Sequence, residues 1–104
     1  MARYSMQDGS VVETGSAEAS WPEHLCWTFS SNVSKATGSE ADHETLYRSN
    51  QGRYYVEHTS EWQDSTPYAE WISPELAAEW LRTNDYDEDS FPQDLRQYAG
   101  QVLA

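Results

Sequence analysis

A chain of 104 residues, 38% of them apolar, has room for one domain with a single core, which excludes a second domain. Eighteen acidic residues against six basic ones give a formal net charge of −12, which excludes proteins that bind nucleic acid or anionic membranes directly through basic groups. A single cysteine, Cys26, excludes an intramolecular disulfide, and no Cys/His spacing resembles a zinc site, so the sequence predicts neither a metal nor a cofactor.

Residues 1–20 consist mainly of Ser, Gly, Glu and Ala, with Val11 and Val12 as one apolar pair. Such a segment can bury little, so we expect a flexible arm or one weak strand, followed by a single domain over residues 21–104. The first ten residues lack the apolar core of a signal peptide, and no window approaches the ~18 apolar residues of a membrane span. We therefore expect a cytoplasmic protein without membrane contact.

The segment WPEHLCWTF at 21–29 allows two interpretations. With Ser20 as N-cap, and with Trp21 and Pro22 in the first turn, it forms a short helix. Alternatively, WTF is a strand that adds to the edge of the sheet. The polar, glycine-containing SSNVSKATGSEAD that follows is typical of a loop.

The run HETLYRSNQGRYYVEHT at 43–59 predicts a β-hairpin. Asn50-Gln51-Gly52 interrupts the run and forms a three-residue turn if Gly52 is left-handed. This turn predicts four cross-strand pairs: Tyr47/Tyr55, Leu46/Val56, Arg48/Tyr54 and Glu44/His58. One face of the hairpin then carries Leu46 and Val56 and packs on a helix, while the other carries Thr45, Tyr47, Tyr55 and Glu57.

A third strand is predicted at YAEWI, and SPELAAEWLRTN is the clearest helix. Ser73 is its N-cap, Pro74 lies in the first turn, and Asn84 ends it. Helical spacing places four apolar residues on one face: Leu76, Ala77, Trp80 and Leu81. The run DYDEDS is then an exposed loop, and FPQDLRQYAGQVL predicts a second helix from about Pro92.

Together these elements predict an α+β fold. A small antiparallel sheet of three or four strands, built on the hairpin, packs against one helix in the C-terminal half of the chain, and a second short helix lies at the C-terminus.

The residues LYR, GRYYVEH, the group Ser60, Trp62 and Gln63, AEW and SPELAAEWL together resemble a set of small bacterial proteins of no known activity. The resemblance covers roughly residues 43–84. It implies that this block is a unit, and it implies no functional residue.

Candidate catalytic residues are His43, Glu44, Glu57 and His58, because the predicted pairing brings two imidazoles and two carboxylates to the open end of the hairpin. A histidine beside a carboxylate can act as a general base, and two histidines with a carboxylate can hold a metal. However, adjacent residues on a strand point to opposite faces. Only one member of each neighbouring His/Glu pair can therefore face a shared site, and a surface ion pair is the alternative.

Candidate binding residues fall into two groups. The aromatic anchors are Tyr47, Tyr55 and Trp62, since exposed aromatic side chains dominate binding energy once they are desolvated. The acidic candidates are Asp85, Asp87, Glu88 and Asp89. Residues two apart on a strand lie about 6.6 Å apart, close to the spacing of phosphates along one nucleic-acid strand.

The sequence thus favours a small, acidic, non-catalytic interaction or regulatory module with a protein partner, which the charge suggests is basic. Two alternatives stay open: a DNA mimic that inhibits a nucleic-acid-binding protein, and a small hydrolase or metal-binding enzyme that uses the hairpin His/Glu residues. Apart from any partner, the acidic surface also fits adaptation to high salt, which screens the repulsion between carboxylates. The oligomeric state is not predicted.

Overall fold

The computed structural model of the protein describes residues 2–28, 31–34, 37, 41–61 and 66–96. Eight strands and one helix are found there: β1 (Arg3–Ser5), β2 (Val11–Glu13), β3 (Ala19–Pro22), β4 (Leu25–Thr28), β5 (Ser31–Ser34), β6 (Asp42–Arg48), β7 (Tyr54–Ser60), β8 (Tyr68–Ile72) and α1 (Pro74–Thr83). Short 3-10 turns span Thr14–Ser16, Glu88–Ser90 and Gln93–Leu95.

Four of the strands form an antiparallel central sheet in the order β3-β6-β7-β8. Two further hairpins stand beside it, the N-terminal hairpin β1–β2 and the hairpin β4–β5. The predicted α+β fold is confirmed, and β3 is the fourth strand of the predicted sheet. No helix in the described part of the chain is long and apolar enough to cross a membrane.

The β6–β7 hairpin has the predicted turn and the predicted register. Gly52 adopts a φ of +83°, and its N–H donates to the Ser49 carbonyl over 2.9 Å. All four expected pairs are present, from Glu44 opposite His58 to Arg48 opposite Tyr54. The left-handed glycine therefore fixes which side chains face the helix, since a shift of one residue would exchange the two faces of the hairpin.

Helix α1 begins where its cap predicts. The Ser73 hydroxyl accepts a 3.2 Å hydrogen bond from the Leu76 N–H, Pro74 occupies the first turn, and Asn84 follows as C-cap. The buried face differs from the predicted one, because Ala78 is buried whereas Leu76 is 52% exposed. Leu76 lies about 40° further round the helix than Trp80, at the margin of the face that meets the sheet.

Each face of the central sheet carries its own apolar cluster. Nine buried residues form the cluster between the sheet and α1: Leu46, Tyr54, Val56, Ala77, Ala78, Trp80, Leu81, Phe91 and Leu95. Four form the cluster beneath the N-terminal hairpin: Met6, Val12, Tyr55 and Ala69. The second cluster shows that the aromatic face of the β6–β7 hairpin is covered by the beginning of the chain.

The N-terminal segment 1–20, predicted as an arm or one weak strand, contains β1, β2 and the first two residues of β3. Met6 and Val12 bury their side chains against the sheet, which gives this segment the apolar contact that its composition does not reveal. The Gln7 side chain also binds both backbone groups of Trp71: its amide donates to the carbonyl over 3.2 Å, and its oxygen accepts from the N–H over 3.1 Å.

Residues 21–34 also differ from the sequence prediction. The predicted short helix is wrong, because the open edge of β6 provides backbone partners for Ala19–Pro22 in extended form. Leu25–Thr28 is a strand, as the alternative interpretation has it, but it pairs with Ser31–Ser34 instead of the central sheet. The predicted loop at 30–42 therefore begins with a strand.

Where the second helix is predicted to begin, the described residues form the 3-10 turn Gln93–Leu95. Phe91 and Leu95 are buried in the sheet–helix cluster, and Leu95 ends the 3-10 turn Gln93–Leu95. Residues 97–104, which complete the predicted second helix, lie outside the described residues.

Candidate functional site

A groove of about 270 Å³ lies between the central sheet and α1, and we call it the sheet–helix groove. Its apolar wall consists of Val56, Ile72, Leu76 and Trp80. Its ionisable lining residues are Glu44, Glu70, Glu79 and His58. These side chains converge because the strand register places residues 44, 56, 58, 70 and 72 on the sheet face that meets the helix.

His58 lies between two carboxylates in this groove. Its Nδ1 is 3.0 Å from Glu44 Oε2, and its Nε2 is 3.0 Å from Glu70 Oε1. Tyr68, its direct cross-strand partner, stacks on the ring with a centroid distance of 4.5 Å. The hydrogen bond with Glu44 holds the pKa of His58 above its ordinary value against the opposing effect of burial, and Glu70 raises it further. Only the imidazolium can donate to both carboxylates, so the arrangement stabilises the protonated ring.

Both oxygens of the Glu44 carboxylate are engaged. Oε1 accepts a 2.9 Å hydrogen bond from the Trp80 indole N–H, and Oε2 faces His58. Burial opposes ionisation of Glu44, but the hydrogen bonds from His58 and Trp80 outweigh it and lower the pKa of the carboxyl. Glu44 therefore links sheet to helix, and Glu70 and Glu79 are the carboxylates of the groove that can meet a ligand.

His43 contacts a different pair of carboxylates, those of Glu23 and Glu61. Its Nδ1 is 2.7 Å from Glu23 Oε2, which raises the pKa of the imidazole, and its Nε2 is 3.8 Å from Glu61 Oε1. His43 and His58 both line a second cavity of about 210 Å³ at the open end of the hairpin. Each imidazole is paired with its own acids, and the register places residues 43 and 58 on opposite faces of the sheet.

Glu57 lies on the face of the sheet opposite to Glu44 and His58, and it contacts neither histidine. Its carboxylate accepts hydrogen bonds from the hydroxyls of Tyr4, at 2.6 Å, and Tyr47, at 3.4 Å. The candidate catalytic quartet is thus divided between two faces, as the alternation of a strand requires. Within the described residues, no group of three His, Cys, Asp or Glu side chains is arranged to hold a metal ion.

The expectation of an exposed Tyr47/Tyr55 pair is wrong, because Tyr55 is only 1% exposed. Its ring stacks on Tyr47 at 5.1 Å and meets the edge of Trp71 at 5.6 Å, beneath Met6 and Val12. Tyr47 is half-buried in the same cluster. The third aromatic candidate, Trp62, lies outside the described residues.

The acidic candidates after the helix form an exposed turn. Asp85, Asp87 and Asp89 are exposed, and Asp85 has a φ of +60°. Glu88 begins the 3-10 turn Glu88–Ser90, and its side chain lies outside the described residues. Since this run is a turn and not a strand, the phosphate-like spacing of alternate strand residues does not apply to it.

Sequence reasoning missed Ile72, Leu76, Glu70 and Glu79 as site residues. A signal for Glu70 existed in YAEWI, where alternation places Tyr68, Glu70 and Ile72 on one face. Which face this was depended on the β7–β8 register, which pairs Val56 with Glu70 and joins two strands that are separated by seven residues in the sequence.

Comparisons with protein-family models, with curated proteins and with solved structures found no match in any of the three. The resemblance of residues 43–84 to small bacterial proteins therefore stays a prediction.

Proposed function

We propose that this protein is a non-catalytic interaction module whose sheet–helix groove receives a lysine or arginine side chain from a basic protein partner. One observation carries the proposal: the groove combines a partly exposed apolar wall with acidic groups and is lined by no lysine or arginine among the described residues. Leu76 contributes most to the exposed part, since half of its surface remains accessible.

A basic side chain matches both parts of the groove. The aliphatic stem of lysine or arginine packs on apolar surface while its charged head stays at the edge in contact with polar groups. Here the stem would lie against Ile72, Leu76 and Trp80, and the head would meet Glu70 and Glu79. The net charge of −12 favours the approach of a basic partner from a distance.

The apolar contact is expected to carry most of the affinity. Ion pairs between exposed groups contribute only about 0–1 kcal/mol, whereas a buried anchor residue at the centre of an interface contributes about 2 kcal/mol or more. Glu70 is half-exposed, so an ion pair with it adds little affinity. Its role is to favour a partner side chain that is positively charged. Loss of the Leu76 side chain should therefore weaken binding more than loss of either glutamate charge.

A set of peptides tests the proposal. Each peptide carries Lys, Arg or norleucine between apolar residues, and its binding is measured by fluorescence anisotropy. The unmodified protein should prefer Lys and Arg peptides. Leu76→Ser should weaken binding at least tenfold, and Glu79→Gln should reduce the preference for basic peptides.

Two variants provide matched controls. Leu25→Ser removes a leucine that is also 52% exposed but lies outside the groove, and Glu75→Gln removes a charge from α1 outside the groove. Both should bind as the unmodified protein does. Equal loss in Leu25→Ser and Leu76→Ser, or equal binding of norleucine and basic peptides, would refute the groove as the binding site.

The two alternatives predict other outcomes. A DNA mimic would compete with DNA for a nucleic-acid-binding protein, and changing Asp85, Asp87 and Asp89 to Asn would weaken that competition. A hydrolase would lose turnover in His58→Ala. The second alternative has less support, because a general base must be deprotonated at the working pH and the partners of His58 favour its protonated form.

A further inference from the structure

A cavity of about 380 Å³ lies between the N-terminal hairpin and the turn of the β6–β7 hairpin. It shares no lining residue with the sheet–helix groove. The N-terminal segment contributes residues of β1, β2 and the turn at Ser16, the hairpin turn contributes Ser49 to Gln51, and the central sheet contributes Tyr55 and Trp71. Pockets for small molecules commonly measure about 300–1,000 Å³, so this cavity has the size of a ligand site.

Two of the few basic residues of this acidic protein line the cavity, and each lies beside a carboxylate: Arg3 beside Glu13 and Arg53 beside Asp8. Of the six basic residues in the chain, Arg3 and Arg53 both line it, against a single acidic lining residue, Glu13. The sheet–helix groove, by contrast, has three glutamates and one histidine. A protein with a net charge of −12 thus places two guanidinium groups around one cavity, which indicates an anionic ligand.

Arg53 is held in place before any ligand arrives. Its guanidinium carbon lies 3.8 Å from the centroid of the Trp71 ring, and Nη1 donates to Asp8 Oδ2 over 3.2 Å. Asp8 also accepts from the Trp71 indole N–H over 3.1 Å and from the Ser10 hydroxyl. Asp8 thus shares its charge among several donors. Because Asp8 and Trp71 already hold the Arg53 side chain, binding of a ligand would restrict little of its remaining motion.

Arg3 is the more adaptable of the two. Its Nε lies 3.8 Å from Glu13 Oε1, beyond hydrogen-bonding distance, and its side chain is 72% exposed. It can therefore turn onto a ligand at the mouth of the cavity. A guanidinium binds carboxylate or phosphate through two parallel hydrogen bonds, which makes arginine suited to either group.

The rest of the lining suits a ligand that is partly apolar. Val11, Val12 and Trp71 are the apolar and aromatic residues of this part of the lining, and Val11 is half-exposed. Ser10 and Ser49 add hydroxyl groups next to the two arginines. The lining thus has a basic part for an anionic head and an apolar part for a small organic body.

We propose that this cavity binds a small organic anion, with its carboxylate or phosphate group between Arg3 and Arg53 and its apolar body against Val11 and Trp71. This site is independent of the sheet–helix groove, and its occupancy does not depend on a protein partner.

Four aromatic probes of similar size test the proposal: benzoate and phenyl phosphate as anions, benzyl alcohol as the neutral form and benzylamine as the cation. Binding is measured by calorimetry and by the shift of the Trp71 indole N–H resonance at low salt. Both anions, or one of them, should bind at least tenfold more tightly than benzyl alcohol, and benzylamine should not bind here. The ratio of the two anions reports whether the site prefers carboxylate or phosphate.

Variants of the residues that line the cavity show where the anion binds. Arg3→Gln and Arg53→Gln should each weaken anion binding at least tenfold, whereas Arg82→Gln, an equal change of charge on α1, should have no effect. Because Arg53→Gln also removes the contact with Asp8, Ser16→Trp provides a second variant, which fills the cavity from an exposed position and should abolish binding while the melting temperature is retained.

Three results would overturn the proposal. They are no binding of either anion, equal binding of benzyl alcohol and benzoate, and an equal loss of affinity in Arg82→Gln and Arg3→Gln. The first would exclude the site, the second would leave only an apolar cavity, and the third would leave only a general effect of charge.

Discussion

Tyr54 and Tyr55 are adjacent, both buried, and differ in what their hydroxyls contact. The Tyr54 hydroxyl lies 2.9 Å from each oxygen of Asp94, whereas the Tyr55 hydroxyl forms no hydrogen bond with any described residue. Burial raises the pKa of Tyr55 to about 12, so its hydroxyl stays neutral and keeps its proton. Removing the Tyr54 hydroxyl should therefore lower stability, whereas removing the Tyr55 hydroxyl should not.

The magnitudes follow from the two environments. A hydrogen bond to a charged group contributes about 1.5–3 kcal/mol, and because the Asp94 side chain is 43% exposed we expect the lower part of that range for Tyr54→Phe. A buried donor without an acceptor destabilises by about 1–3 kcal/mol, a penalty that Tyr55→Phe removes. The small void left by the oxygen offsets part of this gain, so we expect Tyr55→Phe to be neutral or stabilising by up to about 2 kcal/mol.

Thermal unfolding followed by circular dichroism measures both effects. In a domain of this size, 1 kcal/mol corresponds to a shift of roughly 4–8 °C, so the two variants should be well separated. Tyr68→Phe, at a half-exposed position, serves as a control and should stay within about 0.5 kcal/mol of the unmodified protein. If Tyr55→Phe lowers the melting temperature as much as Tyr54→Phe does, the Tyr55 hydroxyl has a partner and the reasoning is refuted.

Three further predictions concern His58, Ser73 and Gly52. Since the folded protein raises the pKa of His58, chiefly through Glu44, the stability it contributes is present below about pH 6.5, its unfolded value, and is lost as pH rises through the folded pKa. Urea unfolding across this range should show that decline, and His58→Gln should remove it; an unchanged slope would contradict the assignment. Ser73→Ala removes the acceptor for the Leu76 N–H and should destabilise by about 1 kcal/mol in the same assay, whereas no loss would mean that the cap is dispensable. Gly52→Ala places a Cβ on a residue with φ +83° and should lower stability by about 1–2 kcal/mol; an unaffected melting temperature would show that the turn tolerates another conformation.

The hairpin and the helix could be predicted because their signals are local. Gly52 sets the turn, the turn sets the register, and the register places Glu44 opposite His58. Ser73 and Pro74 likewise mark the start of α1 within two residues. In each case the residues that determine the structure are neighbours in the chain, so the pattern alone was sufficient.

The sheet–helix groove and the cover over Tyr55 could not be predicted, because they depend on contacts between distant segments. Glu70 reaches His58 only through the β7–β8 register, and Gln7 reaches Trp71 across 64 positions of the chain. Tyr4 and Met6 are isolated large residues in a polar segment, and nothing near them in the sequence indicates the surface that they cover. Such segments are ordered by the rest of the fold and not by their own composition.

The hydrogen bonds between Gln7 and Trp71 cover part of the outer edge of the central sheet. β8 is the outer strand of that sheet, and an outer strand presents backbone groups that can recruit another chain. At Trp71, both of these groups are already bound by the Gln7 amide, which copies the donor and acceptor of a backbone peptide. A single side chain thus stands in for a fifth strand, and a second molecule that sought to extend the sheet at this point would first have to displace part of the protein itself.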